Sequence, residues 1–490
     1  MGDVSAPVVV PVVVPVVVIG NGPVGQTAAL LLARRGVRSL VLDAAEARVP
    51  VGSRSICHQA HTLDIWDSVG VGRIAEEGVT WTVARTFLRD EELFHITLTD
   101  PGDSPFPPWV NLSQARVETL LDEAIAATPE IEVRWSHQVV GIDQHDDRVV
   151  VRVVGPSGEQ TVEAEYAVVA AGAHATDVRR ALGVSFDGES FPDRFLICDV
   201  RCDLPTRALE RRFHFDPVWN PGRQVLIHPC PDSTFRIDWQ VGDGEGPDDV
   251  TRVRQVFGDV PFEMLWSTTY RFHSRLVDRM RVGRVLLAGD AAHLMAPFGA
   301  RGLNSGVADA ENLAWKLAAV LAGQAPDALL ESYHEERHVA ARENLAVTGA
   351  TMRFLVPPDA AARATREQVL ERARTDPAAH ALVDSGRLSQ PFVYDVGDER
   401  AGALVPDVRL GDERLRTFAR RGLLALTDDP ALASGPDVAV RRMTPGVAAA
   451  LGARPEETWL LRPDAHVAAV LTGDPALALP AAVDQVLARP

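Results

Sequence analysis

Lysine is almost absent from this chain of 490 residues. Lys316 is the only one, so arginine supplies 48 of the 49 basic side chains, and any mechanism that needs two lysines is excluded. Acidic residues number 67, which gives a formal net charge of −18. Because such a surface repels phosphate backbones and anionic lipid headgroups, we expect neither nucleic-acid nor membrane partners.

Cysteine is scarce as well. Cys57, Cys198, Cys202 and Cys230 form no C-x-x-C pair, and no histidine cluster completes a zinc-binding spacing around them. We interpret them as reduced thiols and therefore expect a cytoplasmic protein without a metal site.

Proline interrupts the most apolar stretch of the chain. Pro7, Pro11 and Pro15 divide the valine-rich start, and no basic segment precedes it. A membrane-spanning helix needs about 20 apolar residues, and a signal peptide needs a basic start, so the stretch predicts neither. We interpret residues 1–14 as an extended leader and expect the first strand to need only residues 15–19.

A strand, a glycine turn, a helix and a second strand follow the leader. The helix contains QTAALLLARRG, and the second strand, SLVLD, ends at Asp43, whose carboxylate can bond ribose hydroxyls. In the turn Gly20 permits the tight bend, Gly22 allows close approach of a pyrophosphate, and Gly25 lets the helix pack on the strand. The helix N-terminus favours a phosphate. The segment predicts dinucleotide binding, with a packing turn of an unrelated α/β fold as the alternative.

The pattern of the chain changes twice after this unit. Residues 111–127 have apolar side chains at helical spacing. Residues 186–280 contain short β-rich runs separated by Pro, Gly, Asn and Asp, which predicts an inserted, mostly antiparallel sheet. Near the end, the runs GLLALTD, WLLRPD and HVAAVLT are strand candidates.

A second glycine-rich segment reads RVLLAGDAAH, followed by LMAPFGARGLNSGVADAENLAWKL. Its strand brings Asp290 to the carboxyl edge of the sheet, where ligands bind in α/β folds. Gly299, Gly302 and Gly306 allow a flat ligand to approach the main chain. Asp309 follows in the next helix, where a carboxylate suits the helix dipole. Taken alone, an ordinary strand-to-helix crossover is the alternative.

These two segments resemble the FAD motifs of the group A flavoprotein aromatic hydroxylases, which have the p-hydroxybenzoate hydroxylase fold. The second segment matches without gaps, and GNGPVG…VLD matches the ADP-binding motif. The resemblance covers residues 15–350. Residues 402–490 are similar to the thioredoxin-like tail of the phenol and polyketide hydroxylase branch, although a redox C-x-x-C is absent.

The resemblance implies an α/β fold with a Rossmann-like FAD-binding domain, an inserted mostly antiparallel β-sheet substrate domain and a thioredoxin-like C-terminal domain. The predicted boundaries are 15–185 and 281–355 for the FAD-binding domain, 186–280 with part of 75–110 for the substrate sheet, 356–394 for a helical connector, and 395–490 for the C-terminal domain.

Site residues are carried over from the matching motifs. The resemblance implies that Asp290 holds the ribityl chain of FAD and that Arg54 and Gln114 contact the ribityl–pyrophosphate region. No catalytic side chain is assigned, and Pro297 and Gly299 are the candidates beside the flavin ring. The predicted FAD-binding set is Gly20, Gly22, Pro23, Val24, Gly25, Asp43, Arg54, Gln114, Gly289, Asp290, Pro297, Gly299, Gly302, Leu303 and Asn304.

The implied reaction is the reduction of FAD by NADPH or NADH, formation of a flavin C4a-hydroperoxide with O2, and transfer of one oxygen atom to a phenolic or polyketide-like ring. The expected partners are therefore an aromatic small molecule and O2. Whether the chain forms a homodimer stays open.

One motif departs from the family pattern. The family has an aspartate in a stretch like GADGARSxVR, and Ala171 stands at that position here. Since the motif is associated with FAD and NAD(P)H binding, the change bears most on reduction by nicotinamide. We therefore keep a flavin oxidase or dehydrogenase, reduced by its own substrate, as the alternative function, and a non-catalytic FAD-binding protein as a third.

The substrate is expected between the inserted sheet and the flavin. In an alternating strand, half of the side chains point away from any one face, so each candidate has a purely structural alternative. Arg236 and His228 could pair with a carboxylate or a phenolate. The candidate lining residues are His214, Trp219, His228, Arg236, Trp239 and Met295.

Overall fold

The computed structural model describes residues 12–49, 55–98, 104–204, 209–242, 248–429 and 432–490. The predicted FAD contact Arg54 and residues 1–11 of the leader lie outside these ranges. None of the helices within them combines the length and the apolar character that crossing a bilayer requires.

The strands of the described residues are, in chain order, β1 (Val12–Ile19), β2 (Ser39–Leu42), β3 (Cys57–Gln59), β4 (Val79–Thr80), β5 (Val83–Leu88), β6 (Glu91–Thr97), β7 (Trp109–Asn111), β8 (Ile131–Arg134), β9 (Gln138–Gln144), β10 (Val149–Gly155), β11 (Gly158–Val169), β12 (Phe186–Arg201), β13 (Glu210–Phe215), β14 (Gln224–Cys230), β15 (Thr234–Val241), β16 (Glu263–Val277), β17 (Arg281–Val282), β18 (Val285–Leu287), β19 (His293–Leu294), β20 (Arg409–Leu410), β21 (Glu413–Arg414), β22 (Leu423–Thr427), β23 (Val438–Arg442), β24 (Thr458–Leu461) and β25 (Val467–Leu471).

The α-helices are α1 (Pro23–Arg34), α2 (Ala60–Asp67), α3 (Arg73–Glu77), α4 (Gln114–Ala126), α5 (Thr176–Ala181), α6 (Asp249–Phe257), α7 (Gly302–Leu321), α8 (Glu331–Leu355), α9 (Ala360–Ala373), α10 (Leu415–Ala419), α11 (Pro445–Leu451) and α12 (Pro475–Val486). Short 3-10 helices lie at Gly172–His174, Gly289–Ala291, Asp327–Leu330 and Pro377–Leu382.

The first sheet has β1 at its centre. β1 pairs in parallel with β2 and β11, β2 pairs with β8, and β11 pairs with β18. The β-branched run of β1 is fully buried at Val16, Val17 and Val18, as expected for a parallel strand covered on both faces. The expected βαβ start is confirmed.

The first strand is longer than the sequence predicts. It begins at Val12, within the predicted leader, and it includes Pro15. β2 pairs with β1 only from Val16 onward, so Pro15 lies where β11 is the sole neighbouring strand and its missing N–H costs no ladder bond toward β2.

The second sheet has the order β19-β16-β12-β15-β14-β13-β5-β6. The expected antiparallel pairing is confirmed for β12, β14, β15 and β16, whereas β13 and β5 pair in parallel. Its side chains alternate between two faces. Trp239 of β15 and Val225 of β14 are directly paired, and both pack in a core with α6. The residues that come directly before and after each of them along its strand therefore face the other way.

The predicted helix over residues 111–127 is confirmed as α4. Ser113 caps its N-terminus by accepting a hydrogen bond from the backbone N–H of Arg116 at 3.3 Å. Its buried residues are the four apolar ones at helical spacing, Val117, Leu120, Leu121 and Ile125.

The last part of the chain forms a four-stranded sheet in the order β23-β22-β24-β25. The three strand candidates are confirmed as β22, β24 and β25, and β23 was not expected from the sequence. Leu423 and Leu460 of this sheet share an apolar core with Trp315 and Ala319 of α7. The C-terminal region therefore packs on the helix that follows the second glycine-rich segment.

Candidate active site

A cavity of about 810 Å³ is lined by both large sheets. On the side of the first sheet, it is lined by Gly20, Asp43, Ala170 and Gly289. The first three directly follow the carboxyl ends of β1, β2 and β11, respectively, and Gly289 lies just after β18. This is the edge at which parallel α/β sheets bind ligands. The two glycine-rich segments therefore meet at one site.

The three glycines of the turn differ in how much space surrounds them. Gly20 has φ +106°, and a Cβ there would lie 2.5 Å from the carbonyl oxygen of Ala170. A Cβ at Gly25 would lie 2.0 Å from the carbonyl oxygen of Gly20, so any side chain would push α1 off β1. Gly22, the N-cap residue of α1, has φ −81° and no atom within 4 Å of a Cβ position. Its free side faces space that a ligand can fill.

Asp43 is held in place at the rim of the cavity. One carboxylate oxygen accepts a hydrogen bond from the backbone N–H of Asn21 at 2.7 Å, and the other accepts from Ala45 at 2.9 Å. The N-terminus of α1 adds amide groups without partners inside the helix. An anion-binding helix end, an open Gly22 and a fixed carboxylate fit the pyrophosphate and ribose of FAD.

Asp309 organises the second glycine-rich segment. It is fully buried in α7, and it accepts hydrogen bonds from the backbone N–H of Gly289 at 3.0 Å, from His293 Nε2 at 2.7 Å and from Arg337 Nε at 2.7 Å. Burial alone would raise the pKa of Asp309, but His293 and Arg337 lower it to about 2. Asp309 thus fixes the turn that presents Asp290 to the cavity.

Asn304 and Gly306, which the sequence predicts to lie against the ligand, instead make contacts within the protein. The side chain of Asn304 bonds to the backbone of Cys57 and Gln59 on β3 and to Thr62, which ties α7 to β3, and it does not line the cavity. A Cβ at Gly306 would lie 2.6 Å from Val24, so this glycine serves helix packing and not ligand approach.

The structure brings most of the predicted FAD set together. Gly25 and Asn304 lie outside the lining of the cavity. The members that line it are Gly20, Gly22, Pro23, Val24, Asp43, Gln114, Gly289, Asp290, Pro297, Gly299, Gly302 and Leu303.

Strand parity separates the substrate candidates. His228, Arg236 and Met295 line the cavity. His214 lies on the opposite face of the second sheet, where its ring stacks on Phe87 at 4.6 Å.

The other two aromatic candidates also lie outside the cavity lining. Trp219 lies 5.7 Å from the ring of His214, and Trp239 is fully buried in the core beneath α6. All three placements differ from the sequence-based set. His214 and Trp239 face away from the cavity because of the two-residue period of strands, and Trp219 lies in the connection between β13 and β14.

The sequence interpretation missed five residues of the second sheet that line the cavity. They are Arg211, Leu226, Asp238, Trp266 and Tyr270. For Asp238 the sequence holds a signal, because Arg236 is a predicted lining residue and a residue two positions along a strand shares its face.

The two arginines of this wall differ in their partners. Arg236 is buried and makes a bidentate ion pair with Asp199, with two contacts of 2.8 Å. Arg211 is also buried, but it donates only to the carbonyl oxygen of Ser385, at 2.6 Å, and has no carboxylate partner among the residues that the structure describes. Arg211 is therefore available to an anionic group in the cavity.

The connector region contributes to the site. Leu388 lines the cavity, and the backbone N–H of Ser389 donates to Gly299 at 2.8 Å. Tyr394 completes the network of Asp309, since its hydroxyl accepts a hydrogen bond from Arg337 Nη1 at 3.0 Å. The segment from Leu388 to Tyr394 thus braces both parts of the second glycine-rich segment.

Replacing Tyr394 with phenylalanine should lower the free energy of unfolding by about 1.5–3 kcal/mol, because a buried arginine loses a hydrogen-bond acceptor. It should also weaken FAD binding, since Arg337 holds Asp309. Tyr166→Phe is the matched control, as its hydroxyl donates to Asp327 at 2.7 Å outside the cavity lining. Urea unfolding and FAD titration of both variants check this, and equal effects on FAD binding would contradict it.

The fold and the cavity define a flavoprotein with an FAD-binding domain and a second sheet over its ligand site. Residues 13–348 match the FAD binding domain family, and the chain belongs to this family. The matched segment covers both glycine-rich segments and the whole second sheet.

The relatives are named as monooxygenases and hydroxylases. A flavin-dependent monooxygenase of Mycobacteroides abscessus is 34% identical over 87% of this chain and 91% of its own length. A 3-(3-hydroxy-phenyl)propionate/3-hydroxycinnamic acid hydroxylase of Mycobacterium sp. (strain KMS) is 31% identical, and the match covers 78% of this chain and 66% of that relative.

A solved structure shares the fold over nearly the whole chain. The flavin-dependent monooxygenase PieE, solved in complex with FAD and substrate, has a TM-score of 0.82 at 24% identity and covers 98% of this chain and 100% of its own. The likeness extends over the C-terminal region.

Proposed function

We propose that the protein is an FAD-dependent monooxygenase that uses NADPH or NADH and O2 to hydroxylate a phenolic or other aromatic small molecule. One observation carries the proposal: a single cavity joins the dinucleotide turn at Gly22 to a polar and aromatic wall at Arg211, Trp266 and Tyr270. The names of the relatives support the same reaction class.

The chain's own residues would hold the cofactor at one end of this cavity. The N-terminus of α1 and the open side of Gly22 suit the pyrophosphate, Asp43 suits a ribose, and Asp290 suits the ribityl chain. The backbone from Pro297 to Leu303 would lie beside the ring. Bound FAD, once reduced, would activate O2, and one oxygen atom of that O2 would pass to the aromatic ring.

The second sheet would orient the substrate and exclude water. Trp266, Tyr270, Leu226 and Met295 give the wall an apolar and aromatic character. Arg211 offers two or more N–H groups to a carboxylate or phenolate. Because preorganised charge is most effective in a water-excluded site, this wall supports a substrate with one polar end.

The test is oxygen incorporation. The FAD-loaded protein should oxidise NADPH or NADH in the presence of a suitable phenol and should place one 18O atom from 18O2 in the product, which mass spectrometry measures. Reduction of the flavin should also be seen anaerobically as bleaching of its visible spectrum. If every aromatic compound tried gives only hydrogen peroxide and unlabelled compound, the proposal is wrong.

A flavin oxidase is the second candidate, and Ala171 is the observation that favours it. Ala171 lines the cavity beside Gly20, and a methyl group replaces the carboxylate of the family motif there. In an oxidase the substrate alone, without nicotinamide, would bleach the flavin anaerobically. The same anaerobic experiment therefore separates the two functions.

We also propose a discontinuous FAD-binding domain over 15–185 and 281–355, a substrate sheet over 186–280 with part of 75–110, a helical connector over 356–394 and a thioredoxin-like domain over 395–490. The four-stranded sheet with α10, α11 and α12 supports the last of these.

A further inference from the structure

We propose that Asp238 is the base that takes the proton from a phenolic hydroxyl of the substrate, and that Arg211 stabilises the phenolate so formed. The proposal rests on the proposed function and names the substrate class of that site: a phenol bound through its ionisable hydroxyl, as opposed to an aromatic ether or hydrocarbon.

The position of Asp238 is the first argument. It lies on β15, directly paired with Leu226 on β14, and both side chains line the cavity together with Trp266 and Tyr270. Its Oδ1 atom is buried and has no hydrogen-bond partner in the described part of the chain. A buried carboxylate oxygen without a donor is costly, and a hydrogen bond from a ligand in the cavity would offset this cost.

The neighbouring arginines make the second argument. Arg236, two residues away on the same strand, is already neutralised by Asp199 on β12. Arg211 on β13 has no such partner, and it lies close enough to Asp238 for each to shift the pKa of the other. One carboxylate and one arginine without a carboxylate partner thus share the wall, as a proton acceptor and a stabiliser of the resulting anion require.

Three other titratable groups near Asp238 do not suit the role of base. Burial, with Arg211 and Arg236, keeps the pKa of His228 on β14 well below its usual value. Burial raises the pKa of the Cys230 thiol to about 12 and the pKa of the Cys57 thiol further.

Asp238 itself has the required acidity. Burial raises its pKa to about 7, with Asp199 adding to the rise and both arginines opposing it. A general base is most effective when its pKa lies near the working pH.

The proton transfer balances in charge. The O–H bond of the phenol breaks, its proton joins the carboxylate of Asp238, and the electron pair stays on the phenolic oxygen. A neutral phenol and a carboxylate anion become a phenolate and a neutral carboxylic acid, with no change in oxidation state. The phenolate donates electrons to the ring positions ortho and para to it, which prepares those carbons to accept an electrophilic oxygen atom.

The test compares how tightly three probes bind to the FAD-loaded protein at pH 8.5. Binding is measured from the change that each probe causes in the visible spectrum of the flavin. The probes are 4-methylphenol, its methyl ether 4-methylanisole, and 4-nitrophenol, which is ionised at this pH. The variant is Asp238→Asn, which keeps the shape of the side chain. The matched control is Glu263→Gln on the same sheet, an exposed carboxylate paired with Arg201 at 2.6 Å.

The wild-type protein should bind 4-methylphenol at least ~10-fold more tightly than the methyl ether, because only the phenol donates to Asp238. Asp238→Asn should lose this preference and should bind the 4-nitrophenol anion ~10-fold or more tightly than the wild type does, since a like charge has been removed near Arg211. Glu263→Gln should match the wild type. An unchanged preference in Asp238→Asn, or a wild type that binds none of the probes, overturns the proposal.

Turnover gives an independent readout. The wild-type kcat/KM for 4-methylphenol should rise with pH through about 7, as Asp238 becomes ionised. Asp238→Asn should lose about 100-fold with 4-methylphenol at pH 8.5 and much less with 4-nitrophenol, which needs no base. If the binding results hold but no 18O enters any product, the monooxygenase function fails while the role of Asp238 in phenol binding stands.

Discussion

Replacing Gly22 with alanine is expected to weaken FAD binding by about 100-fold while the protein stays folded. A Cβ at this position meets no protein atom within 4 Å, and φ is −81°, so alanine fits the free protein. The added methyl group would instead occupy the space that we propose for the pyrophosphate at the N-terminus of α1. Overpacking of this kind costs about 1–3 kcal/mol, and the upper part of that range corresponds to 100-fold.

The measurement is the dissociation constant of FAD for the apoprotein, together with the thermal unfolding temperature without FAD. Gly446→Ala in α11 is the matched control, because it too meets no atom within 4 Å and lies outside the cavity lining. It should change neither quantity. Equal FAD affinity in Gly22→Ala and wild type would mean that no phosphate lies against this turn.

Replacing Asp309 with alanine should have the largest effect on stability. The change removes a carboxylate that accepts hydrogen bonds from Gly289, His293 and Arg337, and it leaves the buried guanidinium of Arg337 without its carboxylate. Loss of one partner of a buried ion pair costs about 3–5 kcal/mol. Since Gly289 N–H loses its acceptor, the turn carrying Asp290 should also loosen and FAD binding should fall.

Urea unfolding and FAD titration measure both effects. Asp437→Ala serves as the control, because Asp437 forms a solvent-accessible pair with Arg489 at 2.7 Å, and pairs of that kind contribute about 0–1 kcal/mol. If Asp309→Ala were no less stable than this control, the network around Asp309 would not support the turn.

The same residue predicts a dependence of stability on pH. The folded-state pKa of Asp309 is lowered to about 2 from 3.8, so its contribution is fully present above pH 3.8 and is lost as the pH falls to about 2. Wild-type stability should therefore decline more steeply than that of Asp309→Asn between pH 4 and pH 2. Parallel curves would contradict the assignment.

The local features of the FAD-binding part could be predicted from the sequence. Gly20 and Gly25 sit where a Cβ would collide with the backbone of the same turn or of the strand beside it, and Gly22 leaves space open between them. These constraints act over a few residues of the turn. The buried face of α4 follows in the same way from the 3.6-residue period of its apolar residues. Both depend on short-range rules that a sequence displays directly.

The part of the cavity wall on the second sheet could be predicted only in part. The sequence pattern predicts strands in this region, but His214 and Trp239 lie on the opposite face of the second sheet from Arg236. A period of two divides a strand into two faces, and only the neighbouring layers decide which face meets the cavity.

Partners distant in sequence were decided by the tertiary structure alone. Asp309 suits a helix dipole in the sequence, yet it bonds to Gly289, 20 residues earlier, and to Arg337, 28 residues later. Asn304 matches a flavin-contacting position, yet it bonds to Cys57, 247 residues away. By itself the sequence determined the βαβ turn, the two glycine-rich segments and the family. Which side chains face the ligand and which hold the fold was decided by packing, because a polar group bonds to whatever partner the folded chain brings within reach.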